Sequence, residues 1–293
     1  RVTLFIIFFS FLYPRGDCLQ FVEKDILGRV VRPEKQTSSL SPSLHFRIHY
    51  DITSEDGGTP PDLTDILPQN GVPDYIDAVG VIADSAYHVL VDIMGYDSEP
   101  SDGDEYDIYV ISYSPGSYGH CVHGANGTSY LKIDNDYLGY ASNFGQTPLE
   151  IMQITIVHEY FHAIQYGYQE NHGSLSGSDA YFYEMTSMWI EDVILPDGND
   201  YLETTWVGPL LNNPEGAFDD RYPSCNNVNC VGEGYELALF GHYLSREIDG
   251  HFDEKNSTIM RKIWEDYSNS YINKSKYQKK YRDSLKDNDG FWK

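Results

Sequence analysis

Apolar and polar positions alternate from Leu44 to Asp51. Leu44, Phe46, Ile48 and Tyr50 fall on one face, and His45, Arg47, His49 and Asp51 on the other. A period of two predicts a half-buried strand. Between Asp74 and Gly95 the period lengthens. Ile76, Val79, Ala83, Ala86, Leu90 and Ile93 recur at helical spacing, and Gly95 supplies the stop. Tyr106 to Tyr113 and Ser129 to Asp134 predict two further strands. The second is expected at a sheet edge, where an extended peptide can add backbone hydrogen bonds. From Ile151 to Tyr168 apolar residues occur on nearly every side, which predicts a central, buried helix. Asp179 to Leu195 predicts another helix, stopped by Pro196, followed by Gly232 to Asp249 and Thr258 to Tyr271. Gly57 to Gly71, Gly116 to Gly127 and Glu170 to Ser178 carry loop composition, and Asn199 to Asn229 reads as irregular. The fold class expected is α+β: a small twisted mixed sheet over a central helix, with a mostly helical C-terminal lobe.

The division expected is a signal segment at 1–18, one body at 19–252 and a helical C-terminal extension at 253–293. Arg1 followed by the apolar run to Leu12 resembles the core of a secretory signal and is too short to span a bilayer. That predicts a secreted protein with no stable membrane span after signal removal. The net charge is −25, and between Asp51 and Gly250 the basic residues are Lys132, Arg221 and Arg246 alone. Such a body repels phosphate, so nucleic acid is excluded as an expected partner. Four cysteines in a secreted chain point to disulfides. Cys225 and Cys230 are the best pair, which leaves Cys18 with Cys121. Asn126, Asn256 and Asn273 head glycosylation sequons.

The central helix contains His158-Glu159-Tyr160-Phe161-His162. Positions i and i+4 share a helix face, so both imidazoles can reach one ion. Glu159 is rotated about 100° from His158 and points beside that ion. Zinc suits two neutral imidazoles and a carboxylate, leaving a fourth position for water, which Glu159 can deprotonate. A buried helix with two structural histidines is the plain alternative, but three such groups in an apolar setting are costly without a partner. The acids and amide of the Gly57–Gly71 loop, Asp62, Asp65, Asn70 and Asp74, could cradle Ca2+; helix capping is the simpler role for them.

A third ligand must come from elsewhere. Gln165 and Tyr168 stand where a metzincin needs Gly and His. Glu184, on the following helix, is the favoured candidate, with Glu191, Asp192 and His172 as rivals. Its neighbours Tyr181, Phe182, Tyr183, Met185, Met188 and Trp189 make an unpaired carboxylate expensive. The run H-E-Y-F-H-A-I-Q followed by E-x-x-S-x-W-x-E-D resembles a family of secreted bacterial metallopeptidases of the gluzincin type, as do NGVPDYID and YDIYVISY upstream. The similarity extends from about Phe46 to about Asp249. The resemblance implies a zincin-like fold, with His158, His162 and Glu184 as zinc ligands and Glu159 as catalytic base. It departs at Met188, where thermolysin-like enzymes carry an Asp that buttresses a ligand histidine; Glu191 or Asp192 could take that part. For the oxyanion donor the order is Tyr235, then His242, seven residues apart and so on one helix face.

The function expected is a secreted zinc metallopeptidase acting on protein or peptide substrates. The alternative is a metal-stabilised extracellular adhesion module without catalysis.

Overall fold

The computed structural model describes residues 19–21, 31–54, 58–101, 103–113, 118–124, 128–138, 145–169, 180–202, 204–212, 215 and 231–269. It is a mixed α/β structure built on one mixed sheet. The strands are β1 (Leu19–Phe21), β2 (Thr37–Leu40), β3 (Phe46–Tyr50), β4 (Tyr106–Ile111), β5 (Gly119–His123) and β6 (Ser129–Asp134). Their spatial order is β1-β5-β6-β4-β3-β2. The pairs β1–β5, β4–β6 and β3–β4 are parallel, while β5–β6 and β2–β3 are antiparallel.

The alternation at Phe46, Ile48 and Tyr50 is realised, with all three buried and the residues between them half-buried. Two expectations are corrected here. The stretch Gly116 to Gly127 is not simply a loop, because its Gly119–His123 portion is β5. Ser129–Asp134 is not an edge strand, because β5 and β4 flank it on both sides. Gly119 explains both. A Cβ there would lie 2.6 Å from Thr155 Cγ2 and 3.0 Å from the Lys132 carbonyl oxygen. The glycine lets β5 lie directly against a helix; it does not break the strand.

The helices are α1 (Asp74–Tyr87), α2 (Pro148–Gln169), α3 (Ala180–Ile194), α4 (Thr204–Asn212), α5 (Ala238–Tyr243) and α6 (Ile259–Asn269). A reciprocal cap starts α2. The Thr147 amide and hydroxyl both donate to Glu150 Oε2, at 2.7 and 2.8 Å, and the Glu150 amide donates back to Thr147 Oγ1 at 3.3 Å. Pro148 occupies the first turn, where its missing N–H costs nothing. From there α2 runs under β5 and β6 and is enclosed by α1, α3 and α6. Its Tyr160 hydroxyl donates to the buried Glu99 carboxylate, whose other oxygen lies 2.7 Å from His45 Nε2. That link fixes the helix to the start of β3.

The expected helix at Gly232–Asp249 is three pieces: a 3-10 segment at Val231–Leu237, then α5, then a π turn at Leu244–Ile248. Part of the stretch expected to be irregular, Asn199 to Asn229, is helical at Asp200–Leu202 and in α4. α6, placed by the sequence in a C-terminal extension, lends Met260, Ile263, Trp264 and Tyr267 to the same core as α2 and α3. Trp264 lies 4.7 Å from the Phe182 ring and 4.9 Å from the Tyr183 ring. Among the described residues no helix is long and apolar enough to cross a membrane. Residues 1–18, Cys18, Cys225, Cys230, Asn126, Asn273 and His172 lie outside the described residues; Cys121 is buried in β5.

Candidate metal centre

α2 carries His158 and His162 one turn apart on the side facing α3, and α3 sends back Glu184. His158 Nε2 lies 3.1 Å from His162 Nε2 and 3.2 Å from Glu184 Oε2; His162 Nε2 is 3.6 Å from Glu184 Oε1. His162 and Glu184 are fully buried and His158 nearly so. Among the described residues these three form the one group of His, Cys, Asp and Glu side chains whose ligand atoms converge enough to hold a metal ion. The closing step is taken by α3, which lies along α2 and brings Glu184 over the histidine pair.

The outer nitrogens decide what the inner ones present. His158 Nδ1 is 2.5 Å from Glu191 Oε1, and an ionised carboxylate only accepts, so Nδ1 carries the proton. His162 Nδ1 is 2.7 Å from Gln165 Oε1. The amide orientation of Gln165 is set by its Nε2, which donates to the Tyr183 carbonyl at 3.1 Å and to Thr186 Oγ1 at 2.9 Å. His162 Nδ1 is therefore also a donor. With both protons on Nδ1, both Nε2 lone pairs aim at the space bounded by the Glu184 carboxylate. Glu184 Oε1 is buried without a hydrogen-bond partner. When a proton rather than an ion lies on an Nε2, burial still pushes the Glu184 carboxyl up, but the charges and hydrogen bonds of His162 and His158 outweigh it and hold the group below its ordinary value of 4.5. Three electron-pair donors facing one another in a dry interior repel unless a cation lies among them. The donor set fits a metal ion.

Glu159 stands apart from this group. Its Oε2 accepts the Cys121 backbone N–H of β5 at 2.7 Å. Burial raises its pKa above 4.5, with His158 and His162 pulling the other way. Tyr235, on the 3-10 segment, sets its ring edge-on to His158 with centroids 6.0 Å apart. Gly234 makes that approach feasible: a Cβ there would lie 2.1 Å from the Tyr181 carbonyl oxygen at the start of α3.

No protein-family model and no curated protein matches the chain.

His242, expected beside Tyr235 as a second donor, is placed elsewhere. Its Nδ1 lies 2.9 Å from Glu254 Oε1, and its Nε2 3.5 Å from Asp192 Oδ2. Both ring nitrogens thus face carboxylates outside the His158–His162–Glu184 group. Of the two acids offered as buttress, Glu191 takes that part and Asp192 turns to His242. Gln165, noted in the sequence only as a departure from the metzincin spacing, sits at i+3 from His162, the spacing at which helix side chains meet. The acids of the 58–73 loop are spent on the loop itself. Asp65 accepts the amides of Asn70 and Gly71, and Asp74 those of Ile66 and Leu67. His120 and His123 lie on β5 and do not join the centre. His120 Nδ1 is 2.7 Å from the Tyr113 hydroxyl, and burial followed by Lys132 pushes this imidazole down to about 4. His123 packs on Tyr166 at 4.0 Å.

Two predictions follow from these contacts. Glu191→Ala removes the acceptor that fixes the His158 tautomer and should weaken metal binding about 10–100-fold, read by competition with a chromophoric chelator. Unchanged affinity would show that Glu191 has no part in orienting the histidine. The second concerns acid stability. Burial pushes the Glu254 carboxyl up, but His242, Trp189 and Arg246 outweigh it and hold it below 4.5. A carboxylate depressed in the fold contributes stability above its unfolded pKa and loses it as pH falls through the folded value. His242→Gln should therefore flatten the loss of stability between about pH 5 and about pH 3, measured by urea midpoints. An unaltered slope would locate the acid-sensitive contact elsewhere.

Proposed function

We propose that this chain is a secreted, zinc-dependent peptidase of zincin-like build. One observation supports this reading above the rest: two imidazoles and a buried carboxylate converge, with a separate carboxylate held next to them by a strand. In a tetrahedral site with bonds of about 2.1 Å, donor atoms lie about 3.4 Å apart. The spacings of 3.1, 3.2 and 3.6 Å straddle that value. Nitrogen ligation and a tight site favour zinc over calcium, which takes six to eight oxygens at longer range.

His158, His162 and Glu184 would hold the ion. When bound, it supplies the Lewis acidity that makes water nucleophilic near neutral pH and polarises a carbonyl. Glu159 accepts and returns the proton. Its buried carboxyl has a raised proton affinity, which suits a general base that must later act as acid. The Cys121 N–H fixes one of its oxygens, so the carboxylate is oriented before substrate arrives. Tyr235, whose ring lies edge-on to His158, is the candidate donor to a developing oxyanion. The apolar run before Leu12 supports export.

The experiment is cleavage of a mixed peptide library by purified protein, stripped with a chelator and then restored with zinc. Cleavage that vanishes and returns supports the reading. Zinc-loaded protein that cuts nothing rejects it and leaves the adhesion module in its place.

A further inference from the structure

The β5–β6 pair decides which backbone groups of β5 face outward. The Asp134 amide donates to the Tyr118 carbonyl at 3.1 Å, and the register matches Gly119 with Ile133, Cys121 with Leu131 and His123 with Ser129. Bonded and non-bonded pairs alternate along an antiparallel ladder. The amides and carbonyls of Cys121 and His123 therefore point away from β6. That outer side borders the candidate centre, because the Cys121 N–H reaches Glu159 Oε2. The same side holds β1, in parallel register, with Leu19, Gln20 and Phe21 opposite Cys121, Val122 and His123. In a parallel ladder the Cys121 carbonyl and the His123 amide both address the residue that lies between them on the neighbouring strand, which is Gln20, while the Cys121 amide is left to Glu159.

We propose that β1 is an intramolecular blocking strand. It occupies the edge of β5 that an extended polypeptide substrate needs in order to pass beside Glu159, and its displacement or removal opens the site. The effect on hydrolysis rests on the peptidase reading; competition for the strand edge does not. The occupant, β1, is seated on that edge by backbone pairing. Backbone pairing recognises any extended segment, so the class of ligand this edge takes is an unfolded stretch of polypeptide. A folded domain or a single amino acid does not fit it. At three residues β1 is short. A longer substrate segment, pairing over more of β5, can displace it.

The test compares three zinc-loaded chains: one starting at Leu19, the same with Gln20→Pro, and one starting at Val31. The core is assembled from residues between Phe46 and Tyr267, so the shortest chain keeps it. Proline removes the amide that β1 offers to β5 without shortening the chain. Hydrogen exchange at the His123 amide should rise about tenfold or more in both altered chains, while Val122, which faces β6, stays protected. A peptide spanning Leu19 to Lys24, added in trans, should restore His123 protection. Cleavage of a long unstructured peptide should rise with the exchange rate and fall when the short peptide is added. Equal His123 exchange in the first two chains overturns the proposal, whatever the third does. So does faster exchange in chains that all cleave at one measurable, unchanged rate. Exchange that rises while none of the chains cleaves anything supports the blocking strand and rejects the peptidase reading instead.

Discussion

Glu184→Gln is expected to lower zinc affinity at least about a hundredfold, since even partners behind the ligands contribute about 10–100-fold. The side chain is fully buried between the two imidazoles, and its replacement keeps the shape while removing the charge. Its effect on stability should depend on the ion. With zinc present, native protein gains by linkage, because the ion binds the folded chain and not the unfolded one. With chelator present, Glu184→Gln should cost much less, because the empty group loses only the contact of the carboxylate with His158 and His162 and not the ion. A carboxylate kept for packing alone predicts a different pattern, a loss of similar size in both conditions. Metal content after dialysis, together with melting curves with and without zinc, separates the two. A variant that retains one zinc per chain would remove Glu184 from the ligand set and with it the centre proposed here.

That centre was legible because its residues are costly where they stand. His158, Glu159 and His162 occur in a helix apolar on nearly all sides, and Glu184 is flanked by six large apolar or aromatic residues. A polar group so placed needs a partner. Less of its surroundings was legible. The assignment of His242 rested on one continuous helix from Gly232 to Asp249, in which positions seven apart share a face. The chain instead passes from a 3-10 segment to α5 between Tyr235 and His242, and three residues per turn rotate the face differently from 3.6. His242 therefore turns to Asp192 and Glu254. Gly119 misled in the opposite sense. A glycine among short polar residues carries a loop signal, but here its missing Cβ admits Thr155 and Glu159 against a strand. With β5 unseen, β6 stood at the edge by default, and the contact that orients Glu159 had no donor. The signal that could have found it was the apolar pair Cys121-Val122, with β-branched Val122, inside the glycine-rich stretch. Glu191 was visible as a rival ligand because it lies two turns beyond Glu184 on the same face. Only the packing of α3 on α2 shows that it reaches the far nitrogen of His158 instead.

Glu159→Gln should separate binding from chemistry. Zinc should remain at native stoichiometry, since His158, His162 and Glu184 are untouched and Gln still offers a carbonyl oxygen to the Cys121 amide. Hydrolysis should fall about 10²–10⁴-fold, the usual worth of a positioned general base. The loss should appear in kcat, with KM little changed, because the group acts on the proton in flight and not on the bound peptide. Melting temperature is the control. A buried carboxyl whose pKa is raised by burial is costly in its charged form, so the neutral amide should leave the fold as stable or more so. A variant that is less stable, zinc-depleted and equally slow would mean that Glu159 holds β5 to α2 and does nothing more. A stable, zinc-loaded variant that still cleaves at the native rate would require another base. Among the described residues Glu159 is the carboxylate that stands beside the centre without belonging to it, and the acidic side chains Glu191 and Glu184 are already committed to the histidines.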